Sequence, residues 1–424
     1  MTVHSYPRVL ILCQNKMQPF TGGGVVLSNL FHGFPAEHLM FFHRDRDYDT
    51  ETPYREFRIT GHWLRPRVLP AMGALLRWLV EAARDPRRAS LRDMGSLLVQ
   101  SSKIRMPSAV SRAVREFRPE LIYAWVGDSL WSEVVVTAVR QCRVPYVVHF
   151  MDNHVGLKPE TPLDRTLHPA FLRRLARTMD GAAAMYTISD SMGQAYQTLF
   201  GKRYEVFHGL MDTAAWPWRG PRRTGGPFTL AFTGSIERGQ MLGLADVAAA
   251  TDSLAASGMP VRLVLYLTEQ YERQWAAELA KYPCIEIRRH PSLAELGEAL
   301  GEADMLVLAY GFDERTINYY RYSFATKIVP YMLSGRCIIA YGPKAIEPIA
   351  YASEGGWAAV VDEPNVPALA ARIRALADAP GERDRLSAVA YHAGLEEHDL
   401  KRNAKRFTRS LLALASLRVP EDGS

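Results

Sequence analysis

At 424 residues the chain is too long to fold around one core, so two domains are expected. Its 48% apolar and 23% charged residues exclude a disordered protein, and no window reaches the about 18–20 consecutive apolar residues of a membrane span. The formal net charge of +6 is uneven: residues 1–220 hold 28 Lys and Arg against 20 Asp and Glu.

The first strand is "RVLILC", which follows a polar start and is too short an apolar run for a signal peptide. In the next stretch, "KMQPFTGGGVVLSN", Gly22, Gly23 and Gly24 let backbone pass close to a ligand, and the helix that follows favours an anion at its start. The pattern is not G-x-G-x-x-G, so a dinucleotide is not implied. "HLMFFH" is a second strand. "DRD" at 45–47 mimics a metal-binding D-x-D but reads as a solvated loop. Residues 65–118 then carry 12 bases against 4 acids, interleaved with Leu, Val, Trp and Met at helical spacing. Two readings stand open: a basic amphipathic helix on an anionic membrane, or a helix packed on its own sheet with a solvated arginine face. Leu75, Leu76, Leu79 and Val80 serve either. Nucleic acid is not expected, since no recognition module accompanies the charge.

"LIYAWV", "YVVHF", "AMYTIS" and "YEVFH" continue as strands, with helices at 25–34, 108–117, 131–140, 165–179 and 190–199. This alternation is that of a parallel, doubly wound sheet. In "YVVHFMDNH", His149, Asp152 and His154 invite a metal site, but an irregular loop specifies no ligand geometry. His149, at a strand's carboxyl end, is better suited to hydrogen-bond or share a proton with a substrate hydroxyl; a structural histidine is the alternative.

"WPWRGPRRTGGP", 216–227, interrupts the pattern with three prolines and three glycines and reads as a linker. The alternation restarts at "FTLAFTGS" and runs through "RLVLYL", "IEIRR", "DMLVLAY", "CIIAYG" and "AAVVD". Helices are expected at 241–256, 269–281, 293–301, 366–378, 382–394 and 397–416. "FTGSIERGQM" has P-loop glycine spacing from Gly234 to Gly239, yet Gln240 and Met241 replace the Lys and Ser/Thr a P-loop needs. What remains is a tight turn with Ser235 and Arg238, the latter able to take a phosphate bidentately or to pair with Glu237 at the surface. "SFATKIVPYMLSGRCIIAYG", 323–342, reads as a helix through Lys327 that turns on Gly335 into a buried strand, with Pro330 kinking it. Cys13, Cys142, Cys284 and Cys337 are far apart and form no C-x-x-C pair, so free thiols in a reducing cytosol are expected, without zinc or disulfides.

The order of these pieces resembles a GT-B glycosyltransferase and is most similar to glycosyltransferase family 4. The resemblance is carried by the early glycine loop, "VPYVVHF", "AAAMYTISDSM", "YEVFHGLMDTAAW", "LAFTGSIERG", "EADMLVLAY" and "TKIVPYMLSGRCIIAYG". It implies an α/β GT-B fold of two Rossmann-like, doubly wound domains facing across a cleft. The expected division is an acceptor-side domain at 1–215, a linker at 216–227, a nucleotide-sugar domain at 228–395, and a C-terminal helix at 396–424 packing back on the first domain. The implied activity is retaining, metal-independent transfer of a sugar from a UDP-, GDP- or dTDP-linked donor to a glycan, lipid-linked or small-molecule acceptor, without a cofactor. Surface polysaccharide assembly at the inner face of the cytoplasmic membrane would suit it.

By the same resemblance Arg238 and Lys327 grip the diphosphate, helped by amides around Ser323 and Thr326. Gly234, Ser235 and His290 complete the donor site, His149 lies near the transferred sugar, and Gly22–Gly24 face phosphate and acceptor. The chain departs from the family where two glutamates commonly stand eight positions apart: Tyr322 and Pro330 occupy those places. Glu314 or Asp313 is a substitute carboxylate from the preceding loop. The departure keeps two other readings open, a nucleotide-sugar epimerase of the same architecture and a non-catalytic sugar-nucleotide-binding relative.

Overall fold

A computed structural model describes residues 6–14, 17, 22–44, 52–65, 67–84, 91–156, 158–159, 161–218, 220 and 225–417. The "DRD" at 45–47, most of the loop before Gly22, and residues 219 and 221–224 of the proline-rich stretch lie outside the described residues. The chain divides into two units, one ending at His208 but rejoined by the chain from Arg402, the other running from Gly209 to Lys401.

The first unit opens with β1 (Val9–Leu12), α1 (Gly22–Leu30), β2 (Leu39–His43), β3 (Arg55–Arg58) and β4 (Leu64–Arg65). There follow α2 (Val68–Arg84), α3 (Leu91–Ser101), β5 (Lys103–Ile104), α4 (Ser108–Phe117), β6 (Leu121–Trp125) and α5 (Ser129–Cys142). Next come β7 (Tyr146–Phe150), α6 (Pro162–Asp180), β8 (Ala184–Thr187), α7 (Asp190–Phe200) and β9 (Tyr204–Val206). Seven of these strands form a sheet in the order β3-β2-β1-β6-β7-β8-β9, every pair parallel. Val9 of β1 is in register with both Leu39 and Leu121. Strands covered on both faces can be apolar throughout, and β1, β2 and β7 are buried at every position. β4 and β5 make a separate antiparallel pair.

Among the described residues, the 65–118 segment holds α2, α3, β5 and α4 after the end of β4, rather than one helix. Ala71, Ala74 and Trp78 are the buried side of α2, and Ala74 and Trp78 pack against Leu97 of α3 and Leu163 and Leu167 of α6. Of the four residues expected to serve either reading, Leu75 joins this packing whereas Leu76, Leu79 and Val80 face solvent.

The second unit comprises β10 (Phe228–Thr233), α8 (Arg238–Ala256), β11 (Val261–Leu267), α9 (Glu269–Leu279), β12 (Ile285–Arg289), α10 (Leu293–Gly301) and β13 (Met305–Ala309). It continues through α11 (Glu314–Tyr320), α12 (Ile328–Leu333), β14 (Cys337–Tyr341), α13 (Glu347–Gly355), β15 (Ala359–Val361), α14 (Val366–Asp378) and α15 (Pro380–Glu397). Its sheet is parallel in the order β12-β11-β10-β13-β14-β15. The two-residue period of a strand sorts its core into two layers. Leu230, Phe232, Leu263 and Leu265 meet α8 and α14, while Ala231, Val264 and Tyr266 share the other layer with α12 and α15. Trp216 joins that second layer, Tyr391 donates to the Trp216 carbonyl at 2.9 Å, and Arg336 donates to the Gly220 carbonyl at 2.7 Å. The described part of the proline-rich stretch is therefore bound to the second unit.

The last helix, α16 (Leu400–Ala415), brings Phe407 into the first unit's core. Its ring lies 5.0–5.8 Å, centroid to centroid, from Phe31, Tyr123, Tyr186 and Phe207. In the second unit α8 crosses β13 without a side chain between them: a methyl at Gly243 would stand 2.3 Å from the Tyr310 amide nitrogen and 2.7 Å from the Ala309 carbonyl carbon. Because the obstacle is backbone, it cannot rotate away. Gly243→Ala is expected to destabilise the protein by about 1–3 kcal/mol or more, read as a lower denaturation midpoint.

Candidate functional site

A doubly wound parallel sheet leaves a crevice where neighbouring strands send their connections in opposite directions, at the strands' carboxyl ends. In the second unit that point lies between β10 and β13, since β11 flanks one and β14 the other. The turn after β10 is closely held. Gly234, at φ +101°, donates its amide to the Tyr266 carbonyl at 3.1 Å. The Ile236 carbonyl accepts from Trp275 Nε1 at 2.8 Å, and the Glu237 amide donates to Gln240 Oε1 at 3.1 Å, starting α8 at Arg238. The loop after β13 is tied to this turn by the Gly311 amide, which donates to the Gly239 carbonyl at 2.7 Å.

Arg238 bridges the two loops. Its Nη1 lies 2.9 Å from Asp313, not on the adjacent Glu237. Asp313 also caps α11, accepting from the Thr316 hydroxyl at 2.5 Å. Burial works against the Asp313 carboxylate, but hydrogen bonds from Thr316 and Arg238 outweigh it and hold its pKa below the ordinary value. Arg238 is consequently oriented, with its guanidinium half exposed. Asp313, one of two substitute carboxylates expected from sequence, is engaged in this orientation.

Lys327 reaches the same turn from the start of α12. Its Nζ donates to the Ser235 carbonyl at 3.3 Å and stands 3.5 Å from the centroid of the Phe232 ring. A methyl at Gly234 would be 3.7 Å from it. Lys327 forms no ion pair among the described residues, and burial lowers its pKa well below the ordinary lysine value. The ring face and one carbonyl only partly replace lost hydration, so the position favours an incoming anion. His290, just past β12, is close enough to register this charge: burial lowers its pKa first, and the positive Lys327 and Arg289 lower it further. Gly234, Ser235, His290 and Lys327 are thus brought together.

Ser323 and Thr326 differ from expectation. α12 spans only Ile328–Leu333, so these two residues lie in the connection from α11 and not in the helix's first turn. The Ser323 hydroxyl donates to the Tyr319 carbonyl at 3.1 Å, while Thr326 is exposed. The late start also removes the expected kink at Pro330. A helix's first four amides have no intrahelical acceptor, and Pro330 is the third residue, so its missing N–H breaks nothing. The first helical bond is made by the Tyr331 amide to the Lys327 carbonyl, 3.1 Å.

In the first unit the corresponding crevice lies between β1 and β6. Gly22, Gly23 and Gly24 form the first turn of α1 rather than a loop ahead of it. Across the crevice, Asp128 accepts from Gln14 at 3.4 Å, from Gln100 at 3.2 Å and from the Trp131 amide at 2.9 Å. His154 reaches Gly127, where a methyl would meet its Nε2 at 3.3 Å, and lies 3.8 Å from Asp152. Sequence reading passed over Gln14 and Asp128. Only strand order shows that the ends of β1 and β6 are neighbours, and the Asp-Ser start of α5 is the one local signal.

His149 is a correction. Although it is the second-last residue of β7, its ring is 0% exposed, edge-on to Tyr123 and Tyr186. Its Nδ1 shares a 2.6 Å hydrogen bond with the Tyr123 hydroxyl. A side chain enclosed in this way cannot meet a substrate hydroxyl, and His149 is the structural histidine of the alternative reading. Its burial also separates it from Asp152 and His154; among the described residues no three His, Cys, Asp or Glu side chains gather to hold a metal.

No family model and no curated protein matches the sequence. Solved structures do match in fold. HepE of Anabaena, in complex with UDP, has a TM-score of 0.63 at 14% identity, covering 96% of this chain and 100% of its own. Sucrose-phosphate synthase of Thermosynechococcus elongatus gives 0.64 at 13%, covering 96% and 99%. α,α-Trehalose 6-phosphate synthase of Burkholderia multivorans gives 0.63 at 14%, covering 99% and 100%. At such identity the likeness is one of fold, and the fold is that of the GT-B glycosyltransferases.

Burial depresses the His149 pKa to about 3, against 6.5 when exposed. The unfolded chain therefore binds a proton below pH 6.5 that the folded chain refuses. Stability is expected to be unaffected by this group above pH 6.5 and to fall progressively as pH drops from 6.5 toward 3. His149→Phe should flatten that part of the pH–stability profile relative to the parent; superimposable slopes would show that the ring is protonated in the folded protein.

Proposed function

We propose that the chain is a glycosyltransferase that moves a sugar from a nucleoside diphosphate sugar to an acceptor, with the donor's diphosphate held at the β10–β13 crevice. The observation that carries this reading is Lys327, a buried cation without a carboxylate partner, aimed at a glycine turn. As the bond from the sugar's anomeric carbon to the diphosphate breaks, negative charge collects on the departing phosphate oxygen. A fixed cation there stabilises the transition state more than the ground state. Arg238, oriented by Asp313, offers a second cation, and the Gly234–Arg238 turn lets phosphate approach backbone closely. His290 lies at the edge of this site and suits the donor's nucleoside portion. HepE, of the same fold, has been crystallised with UDP and with UDP-glucose, which supports a nucleotide-sugar donor.

Retention of configuration follows the resemblance to family 4. Metal-independent transfer is our reading of two side-chain cations taking the diphosphate charge, with no cofactor beyond the donor. The acceptor, a glycan, a lipid-linked group or a small molecule, is assigned to the first unit, where Gly22–Gly24, Gln14, Asp128 and His154 border the β1–β6 crevice. The solvent-facing apolar side of α2 supports docking on an anionic membrane, and with it a place at the inner face of the cytoplasmic membrane. A second reading, donor binding without turnover, is favoured by one observation: Pro330 is buried in α12 where the resemblance calls for a carboxylate.

UDP-, GDP- and dTDP-sugars should be screened by thermal shift, followed by product analysis. One donor is expected to raise the melting temperature and to yield glycosylated acceptor or free sugar. Lys327→Ala should lower turnover by about 10²–10³. Stabilisation without any product would favour the non-catalytic reading, whereas no stabilisation by any nucleotide, or an unchanged rate in Lys327→Ala, would refute the proposed site.

A further inference from the structure

Beside α2 the first unit holds a cavity of about 290 Å³, walled also by the end of α3, the start of α5 and α6. Arg77 from α2 and Arg173, Arg174 and Arg177 from α6 line it, and no acidic side chain does. The nearby acids are already engaged: Glu81 with Arg84 at 3.0 Å and Arg165 at 2.9 Å, and Glu133 with Arg174 at 3.4 Å. Arg77, Arg173 and Arg177 make no ion pair among the described residues. Arg174 is fixed further by donating to the Gln100 carbonyl at 2.7 Å. Its pKa is lowered by burial, and Arg67, Arg173 and Arg177 add to this against Glu133. At the wall formed by α5, the Ser129 hydroxyl is buried with no hydrogen-bond partner among the described residues.

The cavity opens onto an unusual surface. Val68, Leu69, Met72, Leu76, Leu79 and Val80 are each 50–82% exposed. At 100° per residue they fall on one arc of about 120° along α2. Leu69, the most exposed at 82%, also lines the cavity, so stripe and arginine cluster are continuous. An apolar strip beside unpaired guanidiniums is complementary to one kind of surface, hydrocarbon bordered by anionic headgroups. A second copy of the chain fits less well, because it would bring like charges together.

We propose that this cavity binds the phosphate monoester headgroup of a membrane lipid whose chains lie against the α2 stripe. A monoester carries roughly −1.5 to −2 charge near neutral pH and three acceptor oxygens, which matches planar fork donors better than a singly charged diester does. The Ser129 hydroxyl gains a partner when a phosphate oxygen enters. This inference rests on the membrane reading given above.

The test is co-sedimentation of the full chain with phosphatidylcholine vesicles doped, at matched surface charge, with either phosphatidate or phosphatidylglycerol. The unmodified protein is expected to bind phosphatidate vesicles about tenfold more tightly. Arg173→Gln/Arg177→Gln should erase that preference while leaving salt-sensitive adsorption to both. Leu69→Glu/Leu76→Glu should abolish sedimentation with either vesicle at unchanged melting temperature. Equal binding to both lipids, unaltered by the arginine changes, would overturn the cavity assignment and leave the membrane reading standing. No sedimentation with any vesicle would overturn both, as would a concentration-dependent dimer that Leu76→Glu dissolves.

Discussion

The geometry of the β10–β13 crevice depends on one hydrogen bond at the end of β10. There the Thr233 amide, past the last β10–β13 pair at Ala231 and Leu306, donates to the Tyr331 hydroxyl at 2.8 Å. A buried amide without an acceptor costs about 1–3 kcal/mol, so the bond both satisfies the strand end and fixes α12 over it. Lys327 is four residues before Tyr331, one turn up the same short helix, and its ammonium is carried onto Phe232 and the glycine turn. The position of the cation is inherited from a tyrosine on the other side of the helix turn.

Two electrostatic solutions recur in the molecule. At the β10–β13 crevice the cations are individually placed: Lys327 lies over an aromatic face, and Arg238 is aligned by a carboxylate that also caps a helix. Beside α2 they are clustered, with Arg174 paired to Glu133 and Arg77, Arg173 and Arg177 in no ion pair among the described residues. The first arrangement favours a ligand of defined geometry, because each donor points one way. The second favours charge with latitude in how it is seated, since guanidiniums on exposed stems can adjust.

Much of this architecture is legible in the amino-acid sequence, for physical reasons that also mark where reading stops. β1, β2 and β7 stand out because a parallel strand covered on both faces must be apolar throughout. β3 does not: Arg55-Glu56-Phe57-Arg58 is an edge strand, and its charged side chains carry no hydrophobic pattern. His290 and Lys327 are singled out only by the family resemblance, whereas Gly234 and Ser235 stand out in the sequence because a glycine turn follows a strand's carboxyl end. The same rule misplaced His149, since a strand-end position does not say how deep the side chain sits. Apolar spacing from Phe324 to Met332 suits a helix and a packed turn alike, so the sequence overstates the length of α12. The Arg238–Asp313 pair spans 75 residues and was hidden behind the adjacent Glu237.

The return of the C-terminal helix has a consequence for how the protein is made. Phe407 is wholly buried among rings from α1, β6, β8 and the segment after β9, and Tyr186 shares a 2.6 Å hydrogen bond with Ser410. During synthesis the second unit, continuous from Gly209 to Lys401, can close as soon as it leaves the ribosome. The first unit must wait with an open aromatic socket until the second unit and α16 have been translated. The half begun first is the half completed last, and a chain cut short before α16 would carry a finished second unit beside an unfinished first.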